Sequence, residues 1–375
     1  MGTILVTGGA GFIGSNFVRH WRSVSPCDRI VVLDALTYAG NLQNLASLIA
    51  KEEISFVSGD ICDSAMLDEL FGRWDFSRVV HFAAESHVDR SIASPDAFIR
   101  TNVNGTLSLL QAARSASKRT GALRRFHHIS TDEVYGSLEP DDPAFCESTA
   151  YDPRSPYAAS KAASDHLVRA YGHTYGLPVS ISNCSNNYGP YQFPEKLTPL
   201  AIVNILEGRV LPIYGDGTNI RDWLYVEDHC AAIAAIVERG RLGETYNIGG
   251  VAQVTNVELI GRLCKIIDNL FAEAPSLCSR FRNCPAAQGA SAWDLMTFVK
   301  DRPGHDKRYA IDAQKISSEL GFAPKVELEA GLKKTVNWYI ENETWWRSIL
   351  DGSYVHWIKF HYGDAIERSV SSAPR

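Results

Sequence analysis

Thr3-Ile4-Leu5-Val6-Thr7-Gly8-Gly9-Ala10-Gly11-Phe12-Ile13-Gly14 runs from a short apolar, β-branched stretch straight into a glycine-rich loop and then into a helical pattern. The first stretch reads as a buried strand. Glycines at 8, 11 and 14 permit a tight turn, let backbone N–H groups approach a pyrophosphate, and bring the following helix close to a sheet. Glycines also simply make turns, so the loop takes its meaning from its surroundings. Asp34 closes the second apolar stretch about 20 residues after the last glycine, where a carboxylate accepts hydrogen bonds from the adenosine ribose. Its charge would repel a 2′-phosphate, which favours NAD over NADP. Asp60-Ile61 closes the third stretch and is placed to hold the adenine edge, although Asp is also a common turn residue.

Outward from this loop, strand-like and helix-like segments alternate. Residues 3–7, 29–34, 55–59, 78–83, 126–130 and 179–184 are near-continuously apolar, as strands buried on both faces should be. Val103, Leu107, Leu110 and Ala113 recur at helical spacing, and 158–175 forms another helical block. The alternation predicts an α/β fold, a Rossmann-type doubly wound parallel sheet with a smaller α/β substrate-binding lobe. Past Gly189 the rhythm breaks at Pro190, Pro194, Pro199 and Pro212, and Gly215-Asp216-Gly217 marks a turn. Residues 1–189, with a return segment near 228–250, are therefore assigned to the dinucleotide domain, and 190–227 and 251–375 to the second lobe. The segment 271–291 lacks periodicity and reads as an inserted loop, while Leu328, Leu332, Val336 and Ile340 mark a late amphipathic helix.

The 375 residues carry a formal charge of −6 and no block of Lys or Arg, which argues against nucleic acid as a partner. The eight cysteines show no metal-ligand spacing, so free thiols are expected. No signal-peptide pattern and no apolar run of membrane-spanning length is present, and the expectation is a soluble cytoplasmic protein. There is no HExxH and no nucleophile elbow, so no metal site is expected. His127 and His128 read as packed or surface histidines on opposite faces of a strand.

Two constellations carry chemistry. Tyr157 and Lys161 stand four residues apart, on one face of a helix. A free tyrosine has a pKa near ~10, and lowering it to ~7 takes ~4 kcal/mol of preferential interaction with the phenolate, which a neighbouring ammonium and a nicotinamide cation would supply. Thr131-Asp132-Glu133 follows the fifth apolar run and so falls outside the carboxyl end of the sheet, where ligands bind in open α/β folds. Adjacent carboxylates suit an elimination, which needs a base on one carbon and an acid on the departing oxygen. Both can reach one substrate only if the chain bends at this point. The bland alternatives are an ordinary helix pair and a solvated acidic turn.

GGAGFIGS at 8–15, LDALTYAGN at 33–41, HFAAESHVDRSI at 81–92, STDEVYG at 130–136, YAASKA at 157–162, CSNNYGP at 184–190, RDWLYVEDH at 221–229 and DRPGHDKRYAID at 301–312 together resemble the dTDP-glucose 4,6-dehydratases of the extended short-chain dehydrogenase superfamily. The GxxGxxG spacing is that superfamily's variant. The resemblance implies that Thr131 meets the sugar O4, Asp132 is the general acid, Glu133 the general base, Tyr157 the base at the C4 hydroxyl and Lys161 its partner. It implies NAD contacts from Gly8, Gly11, Phe12, Ile13, Gly14, Asp34, Ala35, Leu36, Thr37, Asp60, Ile61, Ala83, Ala84, Ser86, Thr101, Tyr157, Lys161 and Asn187. Ser86, Thr131 and Asn186 would meet the sugar, with Lys196, Leu197, Pro212, Tyr214, Arg221, Asn256, Arg302, His305 and Tyr362 around the nucleotide and diphosphate. Cationic Lys196, Arg221 and Arg302 suit a diphosphate on chemical grounds. The stretch between Asn256 and Arg302 is longer than the family usually has.

The implied activity is redox-neutral removal of water from a nucleotide sugar, dTDP-glucose being favoured and UDP remaining open. A homodimer through the helices at 103–118 and 158–175 is implied in the same way. Two rivals share the fold: a 4-epimerase, which needs no elimination acids, and a non-catalytic NAD-binding regulator, which would have lost part of the catalytic set.

Overall fold

Successive residues of a strand point to opposite faces of its sheet, and here both sets are apolar. In the computed structural model, which describes residues 2–301 and 303–350, strands β1 (Thr3–Thr7), β2 (Arg29–Asp34), β3 (Ser55–Ser58), β4 (Arg78–His81), β5 (Arg125–Thr131), β6 (Val179–Cys184) and the strand Thr245–Ile248 form one seven-stranded sheet. Its order is Thr245–Ile248, β6, β5, β4, β1, β2, β3, all neighbours parallel. Ile4, Val6, Ile30 and Val32 pack with Phe17 and Trp21 of helix Phe12–Val24 and Ile233 and Ile236 of helix Val226–Arg239. The alternate residues Leu5, Val31, Leu33 and Val79 pack with Leu67, Leu109 and Val168 from helices Ser64–Arg73, Thr106–Thr120 and Pro156–Tyr175. Each such side chain contributes ~1.5–3 kcal/mol on burial, so helices must cover both faces. This is the doubly wound arrangement expected.

Several local expectations need correction. Strands β3 and β4 end at Ser58 and His81, before the chain turns away from the sheet, whereas β5 begins at Arg125 and continues to Thr131. Arg125 hid that start: its guanidinium is buried and donates to Ser180 Oγ at 3.1 Å and Gly240 O at 2.5 Å. The helix read from Val103 is a π-helical turn over Ile99–Gly105 that passes into Thr106–Thr120. The 271–291 segment is no open loop. Helix Asn256–Glu273 runs into it, and the short turns Ser276–Arg280 and Pro285–Gln288 follow, with Phe271, Phe281 and Cys284 buried. Turns of four or five residues are too short to show a helical period. For His127 and His128 the packed reading holds, both being fully buried. Cys278 and Cys284 are free thiols, as are the other six cysteines.

The chain divides into two units. The first comprises residues up to Asn187, Asp222–Val251 and Asp306–Lys325; the second comprises Tyr188–Arg221, Ala252–His305 and the chain from Val326. The expected boundaries gave 306–325 to the second lobe. That stretch returns to the first unit because Leu138 bridges Arg308, Phe145 bridges Ile311, and Ile316 is buried against the core beside helix Val226–Arg239. The second unit contains a parallel pair, Leu211–Tyr214 with Met296–Val299. Its long helix Asn256–Glu273 starts at a capping box made by Thr255 and Glu258. The expected late helix is present as Leu328–Glu341. Among the described residues no helix is long and apolar enough to cross a membrane.

Candidate active site

β1 lies between β2 and β4, so the winding direction reverses at β1 and β4, and ligands of open α/β sheets bind outside the carboxyl ends of the strands at such a point. Gly8 leaves β1 with φ of 69°. A Cβ there would lie 2.6 Å from the Ala83 nitrogen, so the loops after β1 and β4 meet as bare backbone. A Cβ on Gly14 would lie 2.2 Å from Gly8 O, which lets the helix start sit against the loop. Helix Phe12–Val24 has Gly11 as its N-cap, with no side-chain cap and no acidic residue in its first turn. Its first N–H groups and the positive end of its dipole are therefore suited to an anion.

Asp34 is buried and accepts Ala10 N–H at 2.9 Å and Leu36 N–H at 2.8 Å. These bonds aim the carboxylate and leave lone pairs for hydroxyl donors. Burial pushes its pKa above the usual carboxylate value, and the two backbone donors pull it back. Ala35, Leu36 and Thr37 follow on an exposed loop. Asp60 differs from expectation in having partners of its own: Cys62 N–H at 2.9 Å and the Arg100 guanidinium at 3.2 Å. Ile61 is buried beside it. Ala84 and Ser86 extend from β4, and Thr101 lies in the π-turn. Asn102, which sequence reasoning passed over, ties these pieces together. It accepts Glu85 N–H at 2.8 Å, and its Nδ2 donates to Glu85 O at 2.9 Å and Ser160 Oγ at 2.8 Å. A glycine cradle, an uncapped helix start and a fixed carboxylate one strand away fit a dinucleotide: pyrophosphate at Phe12 and Ile13, ribose at Asp34.

The chain does bend at the acid pair. Beyond β5, Asp132–Tyr135 forms a 3₁₀ turn capped by Thr131, whose Oγ1 accepts Glu133 N–H and donates to Asp132 Oδ1, each at 3.3 Å. Asp132 is buried and Glu133 half-buried. Tyr157 and Lys161 are both buried in the first two turns of helix Pro156–Tyr175, which starts at Pro156 with Ser155 as cap. Burial, then the Glu133 carboxylate, push the Tyr157 phenol well above its ordinary value, and the nearby Thr131 hydroxyl pulls it back. The expected phenolate stabilisation by Lys161 is not supplied by the protein groups alone. Lys161 Nζ instead donates to Ile129 O at 2.7 Å and lies 3.3 Å from His128 Nε2. Burial lowers the lysine to about 8, with Asp165 opposing. Ser130, Tyr151 and Asp165 were not singled out from sequence, and His128 was read only as a packed or surface histidine; an Asp four residues beyond Lys161 on its helix was the one available signal.

A family model described as GDP-mannose 4,6 dehydratase matches residues 5–335. The dTDP-glucose 4,6-dehydratase of Neisseria meningitidis serogroup B is 52% identical over 94% of this chain and 98% of its own length. The chain belongs to the dTDP-glucose 4,6-dehydratase family. A dTDP-glucose 4,6-dehydratase of Streptomyces venezuelae, solved with NAD and TDP bound, superposes with a TM-score of 0.82 at 48% identity, covering 92% of this chain and 99% of that one. The UDP-glucose 4-epimerase of Thermotoga maritima, solved with UDP-glucose, has a TM-score of 0.77 at 28% identity, covering 91% and 99%.

Of the residues through which this dehydratase family resemblance implied a nucleotide sugar, Ser86, Thr131 and Asn186 are in the first unit. Buried Asn186 Oδ1 and Ser185 Oγ have no hydrogen-bond partner among the described residues, as befits groups awaiting polar ligand atoms. Asn187 Oδ1 accepts from His229 Nδ1 at 2.9 Å, and its Nδ2 donates to Ser185 O at 2.9 Å. Lys196, Leu197, Pro212, Tyr214, Arg221, Asn256 and His305 are in the second unit. There the Tyr214 and His305 rings lie 6.1 Å apart, and His305 Nδ1 meets Asp301 Oδ1 at 2.6 Å. Arg302 and Tyr362 lie outside the described residues.

Proposed function

We propose that this chain is an NAD-dependent hydro-lyase that removes water from dTDP-glucose and yields the 4-keto-6-deoxy nucleotide sugar. The observation that carries the reading is the turn after β5, which sets Thr131, Asp132 and Glu133 close enough to Tyr157 to act on its phenol. A 4-epimerase needs the tyrosine but neither acid. Sequence identity with dehydratases near half, against 28% with the epimerase, supports the same choice.

When bound, NAD⁺ supplies the hydride acceptor for C4, the donor for C6, and a positive charge that works against the upward push on the Tyr157 phenol. Tyr157 removes the C4 hydroxyl proton, and Thr131 holds O4 as it becomes a ketone. That ketone acidifies the C5 hydrogen, which Glu133 takes. Asp132 protonates the C6 hydroxyl so that it leaves as water, and Glu133 returns a proton to C5. Per turnover Tyr157 gains one proton and Asp132 loses one, so the enzyme resets by a net transfer between them through solvent. Lys196 and Arg221 of the second unit have the charge to bind a diphosphate, Arg bidentately. We further infer a cytoplasmic homodimer that pairs through helices Thr106–Thr120 and Pro156–Tyr175. Eight free thiols suit a reducing compartment, and the half-exposed Tyr175 lies at the end of one of these helices.

Purified protein is incubated with dTDP-, UDP-, CDP- and GDP-hexoses without added cofactor and assayed by mass spectrometry. Loss of one water, fastest with dTDP-glucose, is expected. Isomerisation without change of mass would give the site to a 4-epimerase, and NAD binding without turnover of any sugar would give it to a regulator.

A further inference from the structure

A buried polar cluster of the first unit lies directly behind Lys161. Lys161 is 4% exposed, and His128 and Asp165 are both 0%. Lys161 Nζ lies 3.3 Å from His128 Nε2, and the same Nε2 lies 3.3 Å from Asp165 Oδ1. The other carboxylate oxygen, Oδ2, accepts from Ser130 Oγ at 2.9 Å and from Tyr151 OH at 2.8 Å. Tyr151 OH accepts in turn from Arg169 at 2.7 Å and Asn183 Nδ2 at 3.2 Å. One set of bonds ties Lys161 to His128 and another ties Asp165 to Tyr151 and Arg169; the last two line a cavity of about 670 Å³ with His166, Glu147, Glu244 and Lys315.

One nitrogen, His128 Nε2, faces both partners, and it cannot donate to Asp165 while accepting from Lys161. Burial, then the Lys161 ammonium, hold His128 far below its ordinary pKa, so its ring is neutral and carries a single N–H. Lys161 can only donate, so Nε2 accepts from it, and Asp165 Oδ1, which has no hydrogen-bond partner among the described residues, acts on the ammonium through its charge. The other titratable groups packed here bring no charge to oppose this. His81 on β4 is pushed neutral by burial, and Cys184 at the end of β6 is pushed up and stays a thiol. Tyr135 and Tyr151 are likewise held as phenols, mainly by burial. Arg169 is the second cation acting on Asp165. A buried ammonium needs a partner, and removing a sole carboxylate leaves it uncompensated.

We propose that Asp165, acting through its charge and anchored by Tyr151, is a positioning residue that keeps Lys161 charged and aimed at the end of β5, and so sets the alkaline limit of C4 oxidation. The second half of this statement rests on the dehydratase reading; the first does not. In protein labelled with [ε-¹³C]lysine, the Lys161 resonance is identified by its loss in Lys161→Arg and titrated without substrate. Asp165→Asn should lower its midpoint by ~1 pH unit or more, a tenfold change in the charged fraction. Tyr151→Phe, which keeps the carboxylate but removes a donor, should lower it less, and it carries the test if Asp165→Asn does not fold. With dTDP-glucose, the alkaline limb of bound-cofactor reduction should move down by the same amount in each variant, with KM and the acid limb unmoved. An unchanged Lys161 midpoint in the folded variants overturns the proposal, whatever the enzyme does to sugars. A shifted midpoint in a protein that dehydrates nothing upholds the positioning role and overturns the function assigned above.

Discussion

Asp132 and Glu133 are neighbours in the chain, yet one is buried and the other half-buried, and this difference lets one kind of side chain do two jobs. Glu133→Gln leaves Tyr157 in place, so the first hydride transfer should proceed, reduced cofactor and a 4-keto-hexose should accumulate, and solvent deuterium should not enter C5. Asp132→Asn should retain C5 exchange while water loss slows. Each loss should be ~10²–10⁴-fold in turnover. Full dehydration by Glu133→Gln, with C5 exchange blocked in Asp132→Asn, would reverse the two roles. Asp34 supports a second expectation. Its carboxylate is fixed by two backbone donors, and a 2′-phosphate about 4 Å away would be repelled by ~4 kcal/mol at an effective dielectric of ~20. NAD should bind at least ~10²-fold more tightly than NADP, measured by equilibrium titration, and Asp34→Ala should narrow the gap. Equal affinities in the unaltered protein would remove Asp34 from the ribose.

At the scale of the element, the glycine loop is held by approach distances as much as by turn geometry. Gly14 stands inside helix Phe12–Val24, where alanine would normally be favoured by ~1 kcal/mol. Here a Cβ would overlap backbone, 2.2 Å from Gly8 O and 2.9 Å from Gly8 C and Gly9 Cα. Overpacking of this kind costs ~1–3 kcal/mol. Gly14→Ala should therefore melt at lower temperature, and added NAD should raise that melting temperature less than it does for the parent protein. An unchanged melting curve in the presence and absence of NAD would show that the helix start can move away from the loop.

For the whole molecule, the redox balance is the strictest test. Hydride returns to the sugar, so turnover should continue with neither oxidant nor reductant supplied, and a stoichiometric demand for fresh NAD would contradict the dehydratase chemistry. Sedimentation should give about twice the 41.4 kDa chain mass, and a monomer at catalytic concentrations would remove the dimer. Stability should also fall on mild acidification. His81, His127, His128 and His229 are pushed below their ordinary 6.5, chiefly by burial. Below pH 6.5 the unfolded chain takes up protons that the folded chain refuses, so unfolding free energy drops by up to ~1.4 kcal/mol per histidine per pH unit. Asp34 and Asp165, raised by burial, act in the opposite sense above 3.8, but they are two against four. Urea melts between pH 7.5 and 5 should show the loss; a flat profile would mean that these histidines already carry charge in the fold.

By itself the sequence determined the strand–helix order, the glycine cradle with Asp34, the placing of Tyr157 and Lys161 on one helix, and the acids after β5. All of these are local: a period of two or of 3.6 residues, a turn, or an i to i+4 spacing is written within a few positions. Only the tertiary structure decided the return of Asp306–Lys325 to the first unit, the folding of 271–291 into short turns, and the burial of Arg125. It alone showed His128 and Asp165 standing behind Lys161 on neighbouring elements, although 33 residues separate His128 from Lys161. Partners that far apart meet because a β-strand and a helix are packed side by side, and no periodicity within either one records which polar group on the other will satisfy its buried charge.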